Sequence, residues 1–175
     1  YDSNGDLVSV TDQAGYTTEF TYNQAHGLLD IIDPRGIRGI RNEYDEQGRL
    51  TAHVDANGNR VEYTHKEDSR QEIVKDKLGN VTVYEYDEDG NVLQKTDPVG
   101  NTVSYSYDAD GNKTSQTDAL GNTTTYNYDA QGNLLSKTDP LGNKVEYTYN
   151  DSGQMLTQTD AKGNITSYEY DSNGN

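Results

Sequence analysis

A chain of 175 residues with 30 acidic against 14 basic groups and a formal charge of -16 would repel phosphate backbones and anionic lipid surfaces, which argues against nucleic-acid binding and membrane insertion. Only 30% of its residues are hydrophobic, too few for a dense interior, and the absence of cysteine removes disulfide staples and thiol chemistry. No apolar run approaches the ~20 residues needed to span a bilayer.

Such a composition is common among disordered chains, yet 15 tyrosines stand in phase with 17 glycines, and phase requires a fold. Tyr1, Tyr22, Tyr44, Tyr86, Tyr107, Tyr128, Tyr149 and Tyr170 mark a period of 21 residues, with one unit of 22 and with His65 midway through the gap after Tyr44. A repeat of this length is one supersecondary element that cannot cover its own apolar face and must stack on its neighbours.

In chain order, the first unit has a turn at Gly5, an apolar pair Leu7/Val8, a second turn at Gly15 and a strand ending in Phe20/Tyr22. The second unit places His26 where the first-turn glycine belongs, with Gly27 one place late, then Leu28/Leu29 and a turn at Gly36. One extra residue enters between Asp33 and Tyr44, within Asp33-Pro34-Arg35-Gly36-Ile37-Arg38-Gly39-Ile40-Arg41. A bulge or a lengthened hairpin tip accommodates it, and its arginines form the one cationic patch of the sequence. The third unit turns at Gly48 and Gly58 and carries Tyr63. In the next unit His65, Lys66 and Ser69 replace the tyrosine, aspartate and glycine, which predicts a looser first turn before Gly79 and the ring pair Tyr84/Tyr86. Later units are regular, with second turns at Gly100, Gly121, Gly142 and Gly163 and ring pairs Tyr105/Tyr107, Tyr126/Tyr128, Tyr147/Tyr149 and Tyr168/Tyr170.

The unit opening at Tyr128 shows the local logic. In Asp129-Ala130-Gln131-Gly132-Asn133 the aspartate can cap its own backbone, and Gly132 accepts a positive φ. A strand comes next, over 133–138. Asp139-Pro140-Leu141-Gly142-Asn143 then turns the chain into a second strand over 144–149, which makes each unit an antiparallel hairpin. Along that second strand Val145, Tyr147 and Tyr149 share one face and Glu146 and Thr148 the other, so one face is aromatic and one polar. The apolar pairs of the first strands are adjacent residues, and strict alternation sends their members to opposite faces. The expected product is an all-β ribbon of tandem antiparallel hairpins that twists and curls.

No catalytic, cofactor or metal site is legible. Asp33-Pro34-Arg35-Gly36, Asp97-Pro98-Val99-Gly100 and Asp139-Pro140-Leu141-Gly142 all read as ordinary second turns. Asp87-Glu88-Asp89-Gly90 and Asp108-Ala109-Asp110-Gly111 resemble the opening of calcium loops but lack a closing bidentate glutamate, so a solvated turn is the expected state, with weak calcium uptake left to measurement. His26, His53 and His65 are isolated from one another and have no partner spacing for zinc.

The tyrosine-aspartate opening, the DxxGN turn and the trailing TDxxGN turn together resemble the YD-repeat or Rhs family, over the whole chain and in about eight units. This resemblance implies a section, residues 1–175, of a longer chain whose spiralling sheet forms a hollow shell in bacterial toxin members. It implies a secreted or cell-surface scaffold, not an enzyme, with the rest of the parent chain and an enclosed or C-terminal effector domain as partners. The alternative is an adhesion module whose tyrosines bind glycans. The structural positions expected to matter are the rings Tyr22, Tyr44, Tyr63, Tyr84, Tyr86, Tyr105, Tyr107, Tyr126, Tyr128, Tyr147, Tyr149, Tyr168 and Tyr170, and the glycines Gly15, Gly36, Gly58, Gly79, Gly100, Gly121, Gly142 and Gly163.

Overall fold

The computed structural model describes residues 1–171 and 174–175. They form sixteen antiparallel strands and one three-residue 3-10 turn, with no α-helix. Two compact units are distinguished, Tyr1–Val83 and Tyr84–Asn175. The first holds β1 (Ser9–Thr11), β2 (Thr17–Tyr22), β3 (Leu28–Ile32), β4 (Arg38–Tyr44), β5 (Leu50–Asp55), β6 (Arg60–Lys66) and β7 (Gln71–Lys75), each paired with the next. Strand β8 (Val81–Tyr86) includes residues of both. In the second, β9 (Val92–Thr96), β10 (Thr102–Tyr107), β11 (Lys113–Thr117), β12 (Thr123–Tyr128), β13 (Leu134–Thr138), β14 (Lys144–Tyr149), β15 (Met155–Thr159) and β16 (Ile165–Ser167) again pair in chain order. The expected all-β architecture of tandem hairpins is therefore found.

Nearly every connection uses one device, seen at Asp118. Its Oδ1 accepts the backbone N–H groups of Leu120 and Asn122, both at 2.9 Å, and its Oδ2 accepts the Asn122 side-chain amide at 2.9 Å. Gly121 N–H donates to the Asp118 carbonyl and Asp118 N–H to the Asn122 carbonyl, each at 3.0 Å, while Gly121 sits at φ 85°. This is a type I turn closed by a left-handed glycine, the three-residue hairpin loop whose twist matches its strands. The loop needs no contact from elsewhere, so the sequence sets it locally.

First and second turns differ in the register of the strands they lead into. After a first turn the register slips: Ser106 pairs with Ser115 but Tyr107 pairs with Lys113, leaving Thr114 as a bulged residue. Leu29, Thr51, Leu135 and Leu156 are bulged in the same way. In Leu134/Leu135 and Met155/Leu156 the second member is the bulged residue and the more exposed of the two.

The irregular stretches resolve individually. The extra residue after Asp33 is absorbed by a bulge at Gly39, between the pairs Ile31–Ile40 and Ile32–Arg38. The cationic patch is internally matched: Arg35 meets Asp33 at 2.5 Å, Arg38 meets Asp30 at 3.1 Å and Arg41 meets Glu43 at 3.9 Å. Asp30 Oδ1, buried and close to Arg38, lacks a well-aligned hydrogen bond despite that approach. Gly27 does not substitute for the missing glycine. His26 itself takes the left-handed conformation, at φ 62°, and its Nδ1 lies 2.9 Å from Asp6 Oδ1.

The turn after His65 is not looser, as its sequence suggests, but differently closed. Pairing runs without a bulge to Lys66–Gln71, and a 3-10 turn at Glu67–Ser69 ends in Arg70 at φ 49°. Burial is shallow throughout: among the described residues Ala52, Val54 and Ser136 are buried, and no large side chain is fully enclosed. Within each compact unit, ladders and turns rather than a thick interior supply the stability.

Candidate functional site

The most ordered side-chain arrangement is the aromatic face. In the regular hairpins the main-chain ladder stops short of the bulged first turn, as β13 and β14 show: pairing ends at Ser136–Glu146, two residues after Leu134. The Leu134 carbonyl lies beyond that last pair, and a carbonyl left without a partner is costly. Tyr149 supplies its hydroxyl at 3.0 Å. The same bond joins Tyr22 to Leu7, Tyr107 to Val92 and Tyr128 to Lys113 at 3.0 Å, Tyr44 to Leu28 at 2.9 Å and Tyr170 to Met155 at 2.8 Å. At the irregular unit His65 Nε2 lies 2.8 Å from the Leu50 carbonyl. Tyr22, Tyr44, Tyr107, Tyr128, Tyr149 and Tyr170 are thus ladder terminators. Burial, reinforced by the neighbouring rings Tyr105, Tyr126 and Tyr147 and then by Asp87, Asp108 and Asp129, raises the phenol pKa values of Tyr107, Tyr128 and Tyr149.

The first rings play another part. Lys113 Nζ sits 5.5 Å from the Tyr105 centroid and 5.0 Å from that of Tyr126, clasped between rings of the two flanking strands, and Lys95 Nζ lies 5.7 Å from Tyr84. These are cation–π contacts. Tyr63 and Tyr147 occupy equivalent half-buried positions, and Tyr168 an exposed one. The second repeat lacks a first ring. Asn42 stands there instead, donating to the Leu28 carbonyl at 2.9 Å and meeting His53 Nδ1 at 2.9 Å.

The opposite face is a hydroxyl and carboxylate surface. Thr117 and Thr123, Thr11 and Thr17, and Thr148 and Thr157 pair hydroxyl to hydroxyl at 2.8, 2.8 and 2.7 Å. In the first compact unit a charge chain crosses that face: Glu43 to Arg60 at 2.7 Å, Arg60 to Glu62 at 3.1 Å and Glu62 to Lys75 at 3.0 Å. The Arg60 hydrogen bond lowers the Glu43 pKa, and Lys75 leads the lowering at Glu62. Arg60 and Lys75 are separated by 15 positions in sequence, and nothing in the repeat pattern announces their link.

The eight second-turn glycines singled out from sequence all adopt positive φ, between 77° and 91°. The three Asp-Pro motifs lie in such turns, with Gly36, Gly100 and Gly142 donating to the Asp33, Asp97 and Asp139 carbonyls at 2.8, 3.0 and 3.0 Å. Among the described residues no group of three or more His, Cys, Asp or Glu could hold a metal ion. At Asp108 the reason is local: Oδ1 accepts two backbone N–H groups and Oδ2 the Asn112 amide, so the turn itself takes up both oxygens.

The arrangement terminates ladders, clasps lysines and fixes turns: the chain is a structural repeat scaffold. Its fold is similar to that in a Photorhabdus luminescens Tc holotoxin pore carrying a TccC3 substitution, at 16% identity and a TM-score of 0.59, with 98% of this chain and 12% of that chain covered. A TcdB2-TccC3 structure without its hypervariable C-terminal region is also similar, at 18% identity and a TM-score of 0.49, covering 98% of this chain and 13% of that one. The chain thus spans about an eighth of the length of these solved chains. Comparison with curated proteins gives no match. The RHS Repeat family model matches residues 1–38, 44–70, 71–102, 86–123, 107–144, 128–165 and 149–175, and with period, turns and rings in agreement the chain belongs to the RHS repeat family.

Proposed function

We propose that this chain is a wall section of an exported Rhs-type protein, without catalytic activity, that encloses or presents an effector domain. The observation that carries the reading is the way each hairpin joins the next through main-chain pairing and a ring–carbonyl bond, so that length is added without creating a reaction centre. The similar fold in a Tc holotoxin pore that contains TccC3 supports it in outline. The acidic excess would favour a basic cargo. A glycan-binding role would draw on Tyr105 and Tyr126, whose rings are already taken up by Lys113.

The test is limited proteolysis of the polypeptide encoded by the complete reading frame. The effector segment should resist protease under conditions that degrade it when expressed alone. Equal digestion of the two forms would refute containment.

A further inference from the structure

Where the β13–β14 ladder ends at Ser136–Glu146, the first turns on either side stay apart and flank an open cleft of about 740 Å³. Leu135 and Tyr147 line it, with Asp129 and Gln131 from one turn and Asp151 and Ser152 from the next, and no lysine or arginine does. Asp129 accepts two backbone N–H groups and the Asn133 amide within its own loop, which leaves one of about four lone-pair sites on an ionised carboxylate. The Asp151 carboxylate makes no hydrogen bond or ion pair among the described residues. No cation among them stands over the Tyr147 ring, whereas Lys113 takes up Tyr105 and Tyr126.

The equivalent cleft of the irregular unit already holds an occupant. Asp45, Gln47, Arg49 and Glu67 stand at the repeat positions of Asp129, Gln131, Asn133 and Asp151. There the Arg49 guanidinium donates through Nε to Asp45 Oδ2 at 2.8 Å and through Nη2 to Gln47 Oε1 at 3.4 Å, and its Nη1 reaches across to Glu67 of the next turn. One guanidinium thus ties two successive turns together. The Asp129 cleft keeps an acid, an amide and an acid at the three acceptor positions but has an uncharged asparagine in place of the arginine. We propose that this cleft binds the guanidinium of an arginine side chain carried by a partner polypeptide. A planar fork of donors matches carboxylates better than a lysine ammonium and can stack on the Tyr147 ring. The chain's charge of -16 draws such a group in. The preceding clefts match less well, because Ala109 and Ala130 hold the Asp151 position after the turns at Asp87 and Asp108. The occupant is defined by its chemistry, whichever polypeptide carries it, so the cleft can bind arginine even if containment fails.

The test is titration of the isotope-labelled 175-residue chain with N-acetyl-arginine amide, followed by backbone amide NMR, with N-acetyl-lysine amide as the control for attraction by charge alone. The expected result is saturable shifts centred on Gln131, Asp151 and Ser152 with a Kd on the order of 1–10 mM. Binding should weaken by about threefold or more for the lysine compound and in an Asp151→Asn variant. Asn133→Arg should supply the guanidinium from within, as Arg49 does, and abolish binding of the added arginine compound. Dispersed spectra check that both variants keep their fold. The absence of a saturable shift up to about 50 mM, an equal response to the lysine compound, or a folded Asp151→Asn or Asn133→Arg variant that binds as the parent does overturns the proposal.

Discussion

His65 Nε2 lies 2.8 Å from the Leu50 carbonyl oxygen, the place that a tyrosine hydroxyl takes in regular units, while His65 Nδ1 lies 3.1 Å from Glu72 Oε2. A residue that breaks the sequence pattern thus keeps its bond. Replacing His65 by leucine, similar in size but without a donor, should lower stability by about 1 kcal/mol, the usual net worth of such a bond. Urea unfolding measures it, and an unchanged midpoint would show the contact to be idle.

The two rings of a pair should respond differently to loss of their hydroxyls. Tyr128 donates to the Lys113 carbonyl at 3.0 Å, so Tyr128→Phe should cost about 1 kcal/mol. The Tyr126 hydroxyl makes no hydrogen bond among the described residues and its ring keeps Lys113, so Tyr126→Phe should stay within about 0.5 kcal/mol of the parent. Equal effects would contradict the division of labour between rows.

Gly121 sits at φ 85° with open space, to 4 Å, around the position a Cβ would take, so an alanine there meets no clash and pays only for the left-handed backbone. Gly121→Ala should therefore destabilise by about 1–2 kcal/mol. A melting temperature equal to that of the parent would mean that the turn is not held as described.

Hydrogen bonds from asparagine side chains, with backbone N–H groups adding to them, depress the pKa values of Asp97, Asp108, Asp118, Asp129, Asp139 and Asp160. As pH falls the unfolded chain takes up these protons first. The stabilisation is thus complete above the unfolded carboxylate value of about 3.9 and drains as pH drops through the lower folded values. For Tyr107, Tyr128 and Tyr149, raised by burial, the unfolded chain ionises first above about pH 10, so stability also falls on the alkaline side. Urea midpoints against pH should show a plateau with both flanks. Asp118→Asn should flatten its share of the acid flank and keep the turn, as Asn150 does when its Oδ1 accepts Ser152 and Gln154 N–H at 3.0 and 2.9 Å.

Because both oxygens of Asp108 are engaged within its turn, calcium should find no ready ligands there. Calorimetry of the chain with calcium should give no binding heat beyond that seen with chelator present. Saturable heat would show that the turns open to bind the ion.

Turn positions, strand limits and the aromatic face are legible in the sequence because each depends on neighbours within about five residues: an aspartate that caps its own loop, a glycine that takes positive φ, and side chains that alternate along a strand. The strand read over about 144–149 corresponds to β14. What tertiary structure alone decided is everything set by pairing between strands. Bulges at Thr114 and Leu135 depend on the register of the partner strand, and the Arg60 charge chain depends on strands meeting across the sheet. Lys113 lies between Tyr105 and Tyr126 because β11 lies between β10 and β12. At His26 and His65 the sequence shows a departure from the repeat, but only the surrounding ladder shows that the first accepts a left-handed backbone and the second keeps a tyrosine's bond.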